Sequence, residues 1–116
     1  MADIAWLKKN SPYCNGKWNK DFLYEYLVAS CYKDTKNYVT KYLEKYLNNE
    51  ALADMLFSFL LDDDYDGSDS QIGAAWFLGK FDRNVLKKKK ELLIKAQENE
   101  VLWKRPFGEN EDLSWL

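Results

Sequence analysis

Apolar side chains recur every three or four residues along most of the chain, the spacing that places them on one face of an α-helix. The clearest such stripe is Tyr38, Val39, Tyr42, Leu43, Tyr46 and Leu47. A second follows two asparagines and consists of Leu52, Met55, Leu56, Phe59 and Leu60. Alternation of apolar and polar residues, the pattern of a half-buried strand, is nearly absent. The sequence therefore predicts an all-α fold.

Turn-forming residues divide this pattern into helices joined by short turns, a small helical-hairpin array of about five to seven helices. The expected helices lie near residues 4–9, 20–32, 35–47, 50–61, 70–81, 84–97 and 98–104. The segment 10–16, NSPYCNG, is expected to be a turn. We expect one domain over residues 1–116, with 106–116 as a C-terminal tail, because a chain of this length normally forms a single core.

Composition narrows the classes of function. Apolar residues make up 47% of the chain and aromatic residues 16%, so a packed core is expected and disorder is not. A net charge of -2 argues against a nucleic-acid-binding role, since such domains are usually clearly basic. The first residues, MADIAWLKKN, lack the apolar region of a signal peptide, and no apolar run is long enough to span a bilayer. We therefore expect a cytoplasmic protein whose Cys14 and Cys31 are free thiols.

The chain contains no histidine, so it lacks the commonest general base and the usual partner of a nucleophilic serine or cysteine. No CxxC or Cys/His metal-binding spacing is present either. Paired carboxylates remain possible acid/base groups, but nothing places two of them in a recognisable cleft. We expect a protein that is not an enzyme and needs no cofactor.

The stretch LLDDDYDGSDSQIGAAWFLGKF contains D-x-D-x-D-G, the beginning of a calcium-binding EF-hand loop. The first four requirements of that loop are met by Asp62, Asp64, Asp66 and Gly67. Asp69 stands where an apolar residue is usual, and Gly73 replaces the bidentate glutamate that closes the ligand shell. A surface turn with aspartates is the favoured interpretation. Calcium binding through Asp62, Asp64 and Asp66 is the alternative.

The same stretch resembles the HEAT-like helical repeat of the phycobilisome-lyase type, which has a leucine-rich helix end, an acidic turn, an alanine pair and a Leu-Gly ending. The matching residues are Leu60, Leu61, Asp62 to Asp64, Ile72, Ala74, Ala75, Leu78 and Gly79. Gly73 departs from the arginine usual in the repeat, and the turn is longer. The resemblance implies stacked helix pairs, and it says little about function.

Three further features have both a functional and a structural interpretation. The four residues from Lys87 to Lys90 cover a full helical turn, so their side chains cannot all lie on one face. Such a run is more typical of a solvated helix than of a nucleic-acid or membrane site. The tyrosine stripe fits a core, with a contact surface at its edge. Trp103 and Trp115 in the C-terminal region either pack on the domain or anchor a partner.

In size, charge and helix pattern the chain is similar to immunity proteins of bacterial toxin systems, which bind and neutralise a toxin domain that is often a basic nuclease. The resemblance implies a basic protein partner and no contact with nucleic acid or membrane, and it leaves the oligomeric state open. Crowded carboxylates repel one another, and a basic partner surface would relieve that repulsion. The candidate partner-binding residues are Asp62, Asp63, Asp64, Tyr65, Asp66, Asp69, Trp103 and Trp115.

Overall fold

The computed structural model of the chain describes residues 2–108 and 111–116. Its helices are α1 (Ile4–Lys9), α2 (Lys20–Ala29), α3 (Lys36–Leu43), α4 (Glu50–Leu61), α5 (Asp69–Leu78), α6 (Arg83–Lys88) and α7 (Lys90–Gln97). Single 3₁₀ turns lie at Glu44–Tyr46, Asp63–Tyr65 and Leu102–Lys104. The predicted all-α fold is confirmed. None of these helices has the length and apolar character needed to cross a bilayer.

Helix starts follow the polar residues that precede each apolar stripe. The side-chain oxygens of Asn19 and Asn49 each accept a hydrogen bond from the backbone N–H three residues later, at 3.0 and 2.9 Å. Ser68 Oγ accepts from the N–H two residues later at 3.1 Å. These bonds satisfy donors that have no partner inside the first turn of a helix. Three helices, α2, α4 and α5, therefore begin where local chemistry places them.

The segment 10–16 contains a strand that the hydrophobic pattern did not predict. Two short strands, β1 (Tyr13–Cys14) and β2 (Lys17–Trp18), pair antiparallel. Asn15 and Gly16 connect them with φ of 54° and 78°. Positive φ at both central residues is the geometry that an Asn-Gly hairpin turn favours. The dipeptide itself was the signal for this hairpin.

The C-terminal third differs most from the predicted helices. The expected helix 84–97 is two helices, α6 and α7, which separate at Lys89, where φ is -109° and ψ is 28°. The expected helix 98–104 is only a 3₁₀ turn, Leu102–Lys104. Likewise α3 ends at Leu43 and continues as a 3₁₀ turn. Apolar spacing alone does not locate such breaks, because a change of backbone conformation over one to three residues leaves the apolar pattern on either side intact.

The core forms where α5 packs against both α2 and α4. Its largest fully buried side chains are Tyr26, Phe57, Phe59 and Phe77. Gly73 and the alanines that follow it in α5 are buried, as expected for small residues at a close helix contact. α5 is therefore the central helix of the fold, and its position controls the surface described next.

Candidate functional site

The segment between α4 and α5, residues 62–68, is called here the acidic turn, and Asp69 follows it as the first residue of α5. Asp62 Oδ1 accepts a hydrogen bond from the Asp64 N–H at 2.9 Å and so starts the 3₁₀ turn. Gly67 has a φ of 81°, a conformation that glycine adopts without steric cost. Asp63 and Asp64 are exposed, and within the described residues neither forms an ion pair. Asp66 is also half-exposed but has an ion-pair partner, so Asp63 and Asp64 are the exposed carboxylates of the turn without one among the described residues.

Asp66 is bound from inside the protein. Lys104 Nζ forms an ion pair with Asp66 Oδ1, and the Lys104 side chain is only 7% exposed. The buried Gln71 donates from Nε2 to the same oxygen at 3.2 Å and to the carbonyls of Phe59 and Asp62 at 3.2 and 3.3 Å. These hydrogen bonds, first from Lys104 and then from Gln71, lower the pKa of Asp66. Asp66 therefore joins the turn to α5 and to the C-terminal segment.

The arrangement of the aspartates does not fit a calcium ion. The ammonium group of Lys104 lies against Asp66, where a calcium loop would place the metal. Across residues 2–108 and 111–116, no three or more Asp, Glu, Cys or His side chains are grouped so that they could hold a metal. The calcium alternative has no geometric support at Asp62, Asp64 and Asp66.

Tyr65 lies on the inner side of the acidic turn. Its ring is 4.8 Å from the ring of Phe59 and 5.9 Å from that of Tyr24, measured between centroids. Lys20 Nζ lies 5.4 Å from the centre of the Tyr65 ring. These contacts hold the turn on the core. Tyr65 is therefore partly buried against the core.

A groove of about 740 Å³ begins beside the acidic turn and follows the outer side of α5. We call it the α5 groove. It is bounded by α5, by the residues that end α2 and by α3, and its main lining residues are Tyr32, Lys36, Asp69, Ile72 and Trp76. Tyr32, Ile72 and Trp76 are 43%, 44% and 48% exposed. Exposed apolar side chains that adjoin one another mark contact surfaces more often than scattered ones do.

Tyr32 and Asp69, which both line the groove, are joined by a hydrogen bond. The Tyr32 hydroxyl donates to Asp69 Oδ2 at 2.7 Å, and this bond to a carboxylate raises the pKa of Tyr32. The Cys31 thiol donates to the Asp69 carbonyl at 3.4 Å. Partial desolvation raises the pKa of Cys31, which keeps it in the less reactive thiol form. Cys14 and Cys31 are both free, as predicted.

Trp76 also lines the groove and contacts two neighbouring side chains. Lys80 Nζ lies 3.9 Å from the centre of the Trp76 ring, and the Phe77 ring meets the indole edge-on at 4.8 Å. Lys80 also forms an ion pair with Glu44 at 3.7 Å. The indole thus contacts both side chains and is still 48% exposed.

The two predicted C-terminal anchors, Trp103 and Trp115, differ in their exposure to solvent. Trp103 is 51% exposed. Trp115 is partly buried against Phe107, with ring centroids 5.8 Å apart, and Arg83 lies 5.0 Å from its ring centre. Trp103 is therefore placed as a surface residue, and Trp115 packs on the domain.

Two other features are explained by contacts within the chain. Lys88 pairs with Glu50 at 3.3 Å and Lys89 with Asp54 at 3.0 Å, so half of the lysine run faces acidic residues of α4. The tyrosine stripe is partly buried and packs on the core. These contacts favour a solvated helix for the lysine run and core packing for the tyrosine stripe.

Hydrophobic spacing did not identify the α5 groove, although a signal was present. Asp69, Ile72, Gly73 and Trp76 stand at i, i+3, i+4 and i+7, one face of a helix, and every residue from Ile72 to Leu78 lacks a polar side chain except for the indole N–H of Trp76. A helix that is apolar on all sides is normally buried all round. The pattern therefore indicates that the outer side of this helix packs against something. Tyr32 gave no such signal, because it follows α2 and reaches the groove only through the fold.

Comparison with family models, with curated proteins and with solved structures found no match for this chain. The HEAT-like resemblance and the similarity to immunity proteins therefore stay predictions.

Proposed function

We propose that the chain is a protein-binding module, and more specifically a bacterial immunity protein that binds and neutralises a basic toxin domain in the cytoplasm. One observation carries the proposal. Asp69 lines one groove with the exposed Ile72 and Trp76, and the exposed Asp63 and Asp64 stand in the turn that leads into the same helix. Protein interfaces combine such charge with buried aromatic area.

The acidic turn supports a basic partner because its charge is only partly compensated. Lys104 neutralises Asp66, whereas Asp63 and Asp64 face solvent. Like charges this close in sequence repel one another, and positive charge on a partner relieves that repulsion and speeds association. On a basic nuclease the complementary surface is the one that contacts nucleic-acid phosphates, so binding there would block the toxin. The proposal includes no catalytic step, no cofactor, and no contact with nucleic acid or membrane.

The test is co-expression of the tagged chain with the product of the gene immediately upstream. The two proteins are purified at low and at high salt, and the association rate of the isolated pair is measured. We expect a complex whose association slows as salt rises, because salt screens surface charge. Absence of a complex at either salt would remove the toxin–immunity role.

A charge-matched pair of variants localises the contact. We expect the double variant Asp63→Asn/Asp64→Asn to associate roughly tenfold more slowly at low salt, the lower end of electrostatic steering effects. Glu98→Gln/Glu100→Gln is the control, because it removes the same charge from exposed residues after α7. Equal association rates for the two double variants would show that the acidic turn is not the contact.

A further inference from the structure

α5 is apolar on both its inner and its outer side. Its inner residues, among them Ala74, Phe77 and Leu78, are buried against α2 and α4. Ile72 and Trp76 point outward and are exposed. A helix that is apolar all round is normally covered on every side. Ile72 and Trp76 are nevertheless 44% and 48% exposed, so the outer face of α5 is suited to a second molecule.

The α5 groove has the size of a binding site. Its volume of about 740 Å³ lies in the range of roughly 300–1,000 Å³ that is usual for binding pockets. The Tyr32 hydroxyl donates a hydrogen bond to Asp69, and the Trp76 ring contacts Lys80 and Phe77. The aromatic walls of the groove therefore have partners within the chain while part of each side chain remains open to a ligand.

The charges around the groove specify the polarity of its occupant. Asp69 lines the groove at the first residue of α5, and the exposed Asp63 and Asp64 precede it in the acidic turn. Lys36 lines the α3 side. An occupant that fits this pattern has a positive group at the Asp69 end and an apolar group over Ile72 and Trp76.

We propose that the α5 groove receives one segment of the basic partner. An apolar side chain of that segment lies between Tyr32, Ile72 and Trp76, and a neighbouring lysine or arginine pairs with Asp69. This inference rests on the protein-binding function proposed above and names the chemistry that the partner must present. The acidic turn governs the rate of encounter, and the groove governs the lifetime of the complex, since desolvated apolar anchors act mainly on dissociation.

The probe is a phage-displayed library of random twelve-residue peptides, selected on the full chain. Synthetic copies of the selected peptides are then measured against three variants. Ile72→Glu and Trp76→Ala alter the groove at exposed positions, and thermal melts verify that each variant is folded. Ile94→Glu is the matched control, because Ile94 is 37% exposed on α7 and does not line the groove.

We expect selected peptides that carry lysine or arginine within three positions of an aromatic or aliphatic residue. Their Kd should rise at least about tenfold with Ile72→Glu and with Trp76→Ala, a loss of about 1.4 kcal/mol or more, and stay within about twofold with Ile94→Glu. Replacing either the basic or the apolar peptide residue should also weaken binding. Selection of no peptide that depends on Ile72 would overturn the proposal.

Sedimentation velocity of the chain alone tests the second possible occupant, another copy of the same chain. A dimer that Ile72→Glu dissociates and Ile94→Glu preserves would assign the groove to self-association and overturn the proposal. A monomer at all concentrations tested agrees with it.

The two proposals fail in different ways. If the upstream gene product binds Ile72→Glu as tightly as the unmodified chain but binds Asp63→Asn/Asp64→Asn more slowly, the function stands and the groove assignment is wrong. If groove-dependent peptides are found but the upstream gene product forms no complex, the groove assignment stands and the toxin role is wrong.

Discussion

Gly73 sets the distance between α5 and α2, and a methyl group there is expected to push the helices apart. In Gly73→Ala the new Cβ would lie 2.6 Å from the Leu27 carbonyl oxygen and 2.7 Å from Ser30 Oγ. Overpacking of this kind costs typically about 1–3 kcal/mol. The opposing effect is the higher helix propensity of alanine, about 0.8–1 kcal/mol. Taking the middle of each range, we expect a net loss of about 1 kcal/mol.

The size of this effect is measurable by thermal and urea unfolding. For a chain of this length, 1 kcal/mol corresponds to a fall in Tm of about 3–5 °C. Gly108→Ala is the control, because a Cβ there has no heavy atom within 4 Å, and its Tm should be unchanged.

A double variant separates the two close contacts. Adding Ser30→Ala removes the hydroxyl but leaves the Leu27 carbonyl, which belongs to the α2 backbone and cannot move alone. We therefore expect only partial recovery of Tm. A Gly73→Ala protein with a Tm equal to or above that of the parent would refute the close α2–α5 contact, because propensity alone would then account for the result.

Three further predictions concern the acidic turn. The pKa of Asp66 is lower in the folded chain than when unfolded, so its contribution to stability is present above its unfolded pKa of about 3.9 and is lost as pH falls through the folded value. Asp66→Asn should therefore flatten the acid limb of a stability-versus-pH curve, measured by urea unfolding across that pH range. Gln71→Leu should lower the free energy of unfolding, measured with urea, by about 1–2 kcal/mol, because the carbonyls of Phe59 and Asp62 lose a hydrogen-bond donor. Removal of the buried Gln71 Oε1, which has no hydrogen-bond partner, offsets part of that loss. Millimolar calcium should leave Tm unchanged, whereas a rise reversed by chelator would restore the metal-site interpretation.

Much of the helical fold was determined by the sequence alone. α4 illustrates this, since Asn49 caps its first turn and Leu52, Leu56 and Leu60 are all buried, as their spacing predicts. The caps and the apolar stripe act within a few residues, so the information is local. The acidic turn was predictable for the same reason, because Gly67 and the flanking aspartates favour a turn in any context.

The roles of individual side chains in the site were decided only by the tertiary structure. Five aspartates look equivalent in the sequence, yet Asp66 is paired with Lys104 from 38 residues later, and Asp63 stays exposed. Likewise, Tyr32 meets Asp69 because α2 and α5 pack together, at a separation of 37 residues. Hydrophobic periodicity states which face of a helix is buried, but it carries no information on which distant side chain satisfies a charge. That choice depends on the packing of the helices against one another.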